Sequence, residues 1–314
     1  MDPGGFLRDI EAVPATLAAL ANRLRSSDPW EGLRDREQFL LTGMGSSFYA
    51  AQTAAGWLRS AGLSAVAELA SQDPATPGGP GTTAVCVSAG GTSPETLDRR
   101  ARLAPRTRTV ALVNSDAAAP LATACDDIVH MDADPEKGGV ACRTYRNSLA
   151  LLLALGPSDV AGACDRAATA SQALLDDRDW LDELDAALAG GPATFWIAPS
   201  GRIGSAWQSA LMMRECPRTL GVGCETGDWS HVDVYLTKTL DYRAVVFTGS
   251  PWDEQAAEWM RQRESTVVSI GPTALAVPGE RHVPLDLEPL SAMLTEPIAA
   301  ELLAQRWWQR AVAS

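Results

Sequence analysis

Short runs of apolar, often β-branched residues recur along the chain, each closing on a glycine- or serine-rich loop before a helical stretch begins. In the first half the pattern predicts strands at Gln38–Thr42, Ser64–Glu68, Ala84–Ser88, Thr109–Asn114 and Asp127–Met131. A helix is predicted from the first glycine loop to about Ser60, another opens on Pro94 and Glu95, and a leucine-rich one covers Ser148–Leu155. The second half repeats the order, with strands at Thr194–Ala198, Arg243–Phe247, Thr266–Ile270 and His282–Leu287, and helices at Ser205–Glu215 and Glu296–Val312. Runs this short and buried, alternating with helices, predict parallel sheets covered by helices, an α/β fold. Corresponding elements recur at a spacing of roughly 150–160 residues, the scale of one α/β unit, so the chain reads as an internal duplication. The halves divide as 1–157 and 158–314, and the polar stretch 158–191 reads as a connecting helix at the start of the second.

Composition narrows the function. The chain is 46% hydrophobic and 21% charged, which is globular, and its net charge is -13, from 39 acidic and 26 basic residues. A phosphate-backbone binder needs a basic surface, so nucleic acid is not an expected partner. A small anion remains compatible, because helix N-termini make local anion sites in an acidic protein. The six cysteines (Cys86, Cys125, Cys142, Cys164, Cys216 and Cys224) form no C-x-x-C pair, so reduced thiols in the cytoplasm are expected. Neither a signal-peptide pattern nor an apolar run long enough to span a membrane is present, and no membrane partner is expected.

In parallel sheets ligands sit at the carboxyl ends of the strands. Three loops there carry candidate chemistry: Gly43-Met44-Gly45-Ser46-Ser47, Ser88-Ala89-Gly90-Gly91-Thr92-Ser93, and Asn114-Ser115-Asp116. Glycines permit close approach, and hydroxyls and helix-start N–H groups suit an oxyanion; a tight turn with a serine N-cap accounts equally for any one loop. Two such loops in register make a binding role the stronger reading. Gly43-x-Gly45 with Glu68 beyond it also resembles part of a dinucleotide fingerprint, in which Glu68 would hold a ribose. Phe48 occupies the third small position, however, and the second half lacks the spacing.

The combination of these motifs resembles the sugar isomerase (SIS) domain family, over about residues 35–312. Gly-x-Gly-Ser-Ser before a helix, followed by strand–Ser-x-Gly-Gly-Thr-Ser–Pro-Glu-Thr, is similar to the family's sugar-phosphate loops. Pro135–Ala141 is similar to its Glu-x-Gly-Val-Ala segment. Arg214-Glu215 with Gly227-Asp228-Trp229-Ser230-His231 resembles segments of the isomerase part of glucosamine-6-phosphate synthase and of fructosamine-phosphate deglycases. The resemblance implies two SIS subdomains, each a flavodoxin-like three-layer sandwich. It further implies that Gly45, Ser46, Ser47, Ser88, Gly90, Gly91, Thr92 and Ser93 hold the phosphate or sugar hydroxyls. Glu215 would move a proton between the first two sugar carbons, and His231 would open the ring or act as the acid. A homodimer with a shared active site is implied, His231 coming from the neighbouring subunit, and no cofactor is called for.

The chemistry agrees with those roles. Abstracting a proton beside a carbonyl or imine requires a carboxylate in a partly dry site, and the enediol or enolamine then needs an acid such as histidine. Of the three histidines, His130 lies on an apolar strand and His282 beside Arg281, which leaves His231 as the natural acid, with Trp229 expected to line the site. Ala89 and Gly90 stand where the synthase has side chains that touch phosphate; Arg143 or Lys137 is the candidate replacement. The chain ends at Ser314 without the synthase's lysine-bearing tail, and Lys238 has no position that matches it, so glutamine-dependent amination is not expected. An amine-linked substrate supplies its own nitrogen for an iminium. The expectation is therefore deglycation or deamination of an amino sugar or fructosamine, or plain aldose–ketose isomerisation, the substrate being phosphorylated. A sugar-phosphate-binding regulator without catalysis is the alternative.

Overall fold

The computed structural model of the protein describes residues 1–313. In chain order the helices are α1 (Pro3–Glu11), α2 (Val13–Ser26), α3 (Ser46–Ser60), α4 (Pro94–Ala101), α5 (Pro120–Ala124), α6 (Arg143–Leu153), α7 (Val160–Asp176), α8 (Asp179–Leu188), α9 (Ile203–Glu215), α10 (Thr226–Trp229), α11 (Asp253–Gln262), α12 (Pro289–Thr295) and α13 (Pro297–Ala313). The strands are β1 (Gln38–Gly43), β2 (Ser64–Leu69), β3 (Thr82–Val87), β4 (Arg108–Val113), β5 (Asp127–His130), β6 (Thr194–Ala198), β7 (Gly221–Glu225), β8 (Arg243–Phe247), β9 (Thr266–Gly271) and β10 (Arg281–Pro284).

The strands form two all-parallel sheets. One runs β2-β1-β3-β4-β5 and the other, read from its β7 edge, β7-β6-β8-β9-β10. Numbered within each half, both orders are 2-1-3-4-5, so the duplication expected from sequence is present in the topology. The chain separates into two compact units. One holds 15–136 and 141–165 with the first sheet; the other holds Met1–Pro14, Lys137–Val140 and Arg166–Ser314 with the second.

In the first unit β1, β3 and β4 are buried almost end to end, which is why they read as continuous apolar runs. Trp30 is fully buried there and donates from Nε1 to the Leu151 carbonyl at 2.7 Å, so its one polar atom is satisfied. In the second unit Phe195 stacks on Tyr242 with ring centroids 4.0 Å apart, and Trp229 donates from Nε1 to the Tyr242 hydroxyl at 2.7 Å. Burial pushes the Tyr242 phenol far up, so it stays protonated. These rings join Ile197, Val246 and Met260 in a core cluster.

The differences from the sequence reading have physical causes. The strand β7 was not expected: Gly-Val-Gly-Cys-Glu lacks a β-branched run because a helix lies directly on it. A Cβ at Gly223 would stand 2.7 Å from the Ala206 carbonyl oxygen, and one at Gly221 2.6 Å from that of Ala210. Helix α6 starts at Arg143 rather than Ser148, because Glu136 accepts from the Cys142 and Thr144 N–H groups at 3.0 and 2.9 Å and stabilises a polar first turn. The connecting stretch is two helices, α7 and α8.

Candidate functional site

In the first unit, parallel pairing brings the ends of β1, β3 and β4 to one edge of the sheet. There the loop Gly43–Ser47 turns into α3. A Cβ on Gly43 would meet Ser47 Cβ at 2.8 Å and the Val87 carbonyl oxygen at 2.9 Å, so only glycine lets the end of β1 pass between them. Gly45 enters the helix at φ 52°, ψ -128° and brings no side-chain cap. The loop Ser88–Ser93 turns at Gly91 (φ 65°), whose missing Cβ leaves room for Ala119, 2.8 Å from where it would stand. Gly45, Ser46, Ser47, Ser88, Gly90, Gly91, Thr92 and Ser93 thus share one sheet edge.

Their side chains are not equivalent. Ser93 is the N-cap of α4, accepting from Thr96 N at 3.3 Å and donating to Glu95 at 2.9 Å, so its hydroxyl already serves the helix. Among the described residues the hydroxyls of Ser47, Ser88 and Thr92 have no hydrogen-bond partner within the chain. Asn114 ties its loop to the segment before α6, donating to the Asp134 carbonyl and accepting from Ala133 N, both at 2.9 Å. Arg143 is buried and donates to the Pro135 carbonyl at 2.8 Å, with Glu136 at 3.6 Å and Asp134 at 3.9 Å. Its guanidinium is thereby engaged in holding residues 134–136. Lys137 is exposed. The dinucleotide reading loses its acid: Glu68 accepts from Thr76 N at 3.1 Å and pairs with the buried Arg99 at 3.1 Å.

In the second unit Glu215 is the last residue of α9. Its carboxyl is half-buried, and among the described residues it has neither a hydrogen bond nor an ion pair within the chain. Burial raises its pKa, and the neighbouring Arg214 charge opposes this only in part. His231 follows the short helix α10, exposed, its N–H donating to the Asp228 carbonyl at 2.9 Å. The packing of Gly223 against Ala206 and of Gly221 against Ala210 shows α9 running antiparallel to β7. Glu215 therefore lies toward the start of β7, and His231 beyond its end. The intervening strand is on the order of 13 Å long at its ordinary rise. Around His231 the surface is apolar: Val232, Tyr235, Leu236 and Leu240 are all exposed. Trp229 does not line this surface. It is fully buried in the core against Tyr242, a correction to the sequence reading.

The loops of the second unit that match the first unit's glycine loops are closed by the chain's own charges. Asp253 Oδ2 accepts from Gly249 N at 2.6 Å and from Ser250 N at 3.1 Å, just after β8. Arg202, after β6, donates to Glu296 at 2.9 Å and to the Thr248 carbonyl at 2.6 Å, all buried. Sequence reasoning missed both, because an arginine and a glutamate nearly a hundred positions apart carry no local signal of pairing.

Comparison with known proteins fits this geometry. The chain superposes on the tagatose-6-phosphate ketose/aldose isomerase of Escherichia coli with a TM-score of 0.81 at 17% identity, covering 98% of this chain and 93% of that one. The fold is that of the sugar isomerase (SIS) proteins. Another SIS structure, the glucosamine-6-phosphate deaminase of Thermotoga maritima, matches with a TM-score of 0.74 at 17% identity, over 98% and 95% of the two chains. In sequence, the chain is 24% identical over 197 residues to a glutamine–fructose-6-phosphate aminotransferase (isomerizing) of Methanothermobacter thermautotrophicus. That match takes in 60% of this chain and 33% of the relative, so it spans about a third of the relative's length. No family model matches the chain. At these identities the likeness is one of fold. No described helix is long and apolar enough to cross a membrane.

Proposed function

We propose that the protein catalyses proton transfer at the first two carbons of a phosphorylated amino sugar or fructosamine, releasing the amine or isomerising the sugar. The observation that carries this reading is Glu215. A half-buried carboxyl without a hydrogen bond or ion pair among the described residues, its pKa raised by burial that the Arg214 charge offsets only in part, is suited to general-base work. The hydroxyls of Ser47, Ser88 and Thr92 and the backbone of Gly45 and Gly90–Ser93 hold the phosphate or sugar hydroxyls, while Ser46 opens the adjoining helix. Arg143 keeps the segment before α6 in place, and the small residues Ala89 and Gly90 leave phosphate binding to the backbone and hydroxyls of their loop. His231 opens the ring; when the carbon-bound proton leaves for Glu215 the electrons collect on the neighbouring carbonyl oxygen, giving an enolamine, and return of the proton to the other carbon leaves an imine that water hydrolyses to release the amine.

Within one chain Glu215 and His231 lie toward opposite ends of β7, so the pair acts together only across two copies. The exposed Val232, Tyr235, Leu236 and Leu240 around His231 fit the interface of such a homodimer. The six cysteines are present as thiols, which fits a reducing cytoplasm. The test is a thermal-shift screen against sugar phosphates, fructosamine phosphates, their unphosphorylated forms and NAD(P), followed by turnover of whichever ligand raises the Tm. Stabilisation by a phosphorylated sugar followed by turnover supports the proposal. Stabilisation by NAD(P) alone sinks it, and a sugar phosphate that binds without reacting favours a regulatory protein.

A further inference from the structure

The first unit has a concave site at the opposite edge of its sheet from the glycine loops. A pocket of about 580 Å³ opens where β4 and β5 begin, lined by Arg36, Arg100, Arg106, Arg108 and the pair Asp126 and Asp127, with Leu103–Pro105 as its apolar wall. That volume lies within the ordinary range for small-molecule sites. In a chain carrying a net charge of -13, four guanidinium groups in one pocket form a local reversal of sign.

The charges are only partly spent inside the protein. Arg108 forks onto Asp127, with Nε at 2.8 Å and Nη2 at 3.3 Å, and Asp35 lies 3.9 Å from it. Asp126 is tied to the N–H and hydroxyl of Thr109, each at 2.8 Å. Among the described residues Arg36 has only Asp35 as an ion-pair partner, at 3.6 Å. Arg100 makes no ion pair within 4.0 Å among the described residues; its Nε is shut away from solvent without a hydrogen-bond partner, and its guanidinium lies beside the Cys125 thiol and in the field of Asp126. Arg106 sits exposed at the rim on a left-handed backbone turn (φ 70°), its guanidinium likewise without a partner among the described residues.

We infer that this pocket is a binding site for a small phosphate monoester, separate from the glycine loops. A phosphate dianion takes paired N–H donors from guanidinium groups, and Arg100 and Arg106 have donors to give. Leu103, Ala104 and Pro105 receive the organic part, which distinguishes a monoester from phosphate ion alone. The site lies about a strand length, roughly 17 Å, from the glycine loops. One element links the two: α4 begins at Ser93 in the binding loop and ends at Ala101, beside Arg100 in the pocket. Occupancy of the pocket thus bears on the helix whose N-terminus faces the other ligand.

The experiment uses the full chain carrying Ser88→Ala and Thr92→Ala, which weakens the glycine-loop site, titrated with phenyl phosphate by calorimetry at low ionic strength. Binding is expected, and adding Arg100→Gln with Arg106→Gln weakens it about tenfold, the loss of one or two charge-assisted hydrogen bonds. Arg106→Gln alone, at an exposed position with no packing role, keeps the fold in any case and is expected to weaken binding two- to fivefold. No binding in the loop variant, or binding that neither arginine variant changes, overturns the inference. Inorganic phosphate bound as tightly as phenyl phosphate overturns the monoester assignment. These results are independent of whether any sugar is turned over.

Discussion

Glu215 and His231 lie toward opposite ends of one strand, β7, with α9 running down to the first and the chain running up to the second. On the proposed roles of base and acid, two groups so separated serve one sugar only from different subunits. Two inactive variants, Glu215→Gln and His231→Ala, should therefore complement each other when subunits are exchanged. Random reassortment puts one intact site in half of the dimers, so about a quarter of the unaltered activity is expected. Mixtures that stay inactive although exchange is demonstrated would show that the two residues do not act together across copies.

The strand that separates them also positions them. A Cβ on Gly223 would stand 2.7 Å from the Ala206 carbonyl oxygen and 2.9 Å from its carbon, both backbone atoms of α9. Gly223→Ala must push the helix off the sheet, at a cost of about 1–3 kcal/mol. Because Glu215 ends that helix, turnover should fall by more than the loss of Tm explains. Denaturant unfolding beside a turnover assay measures both.

This strand also shows where the sequence was legible and where it was not. Nine of the ten strands among the described residues announce themselves as short apolar, often β-branched runs, and β1, β6 and β8 fall within a residue of expectation. The tenth, β7, does not, because close helix packing replaces the side chains that would have given it away. The glycine-rich loops were legible, but the engagements of the candidate residues were not. Ser93 caps a helix, Arg143 holds Pro135 and Glu136, Glu68 holds Arg99, and Trp229 belongs to the core. Each depends on a contact that only the folded chain creates.

The closed loop of the second unit makes a separate prediction. Asp253 occupies the N–H groups of Gly249 and Ser250, a place an anion would otherwise take. Asp253→Ala should lower stability by about 1–2 kcal/mol, the worth of a carboxylate cap. Inorganic phosphate should recover part of that Tm loss in the variant and do less for the unaltered chain. An equal phosphate effect on both proteins would contradict the reading of Asp253 as an internal anion.

Buried Arg202 and Glu296 pair at 2.9 Å, and Arg202 also donates to the Thr248 carbonyl. Glu296→Ala leaves a guanidinium buried without its counter-charge, which costs about 3–5 kcal/mol. Equilibrium unfolding should register this as a shift in midpoint at unchanged slope.

The pH dependence of stability has an identifiable contributor in Asp185. Burial raises its pKa, but Arg310, Trp307 and Arg306 on α13 outweigh that and hold it below the usual carboxylate value. A group lowered in the folded state contributes its stability above its unfolded pKa, near 3.8, and loses it as pH falls through the folded value. Asp185→Asn should remove that acid-side loss while lowering stability at neutral pH. Thermal melts from neutral pH into the acid range measure it.

The proton-transfer account rests most directly on Glu215→Gln, assayed for turnover and for ligand affinity as a function of pH. Glutamine keeps the shape and removes the base. The account predicts a fall in kcat of at least about 10²–10⁴-fold with affinity for the sugar phosphate kept. In the unaltered enzyme the acid limb of the rate profile should lie above the ordinary glutamate value, because burial raises the Glu215 pKa and only the ionised form accepts a proton. Turnover undiminished in Glu215→Gln, or an acid limb that survives the substitution, would contradict it.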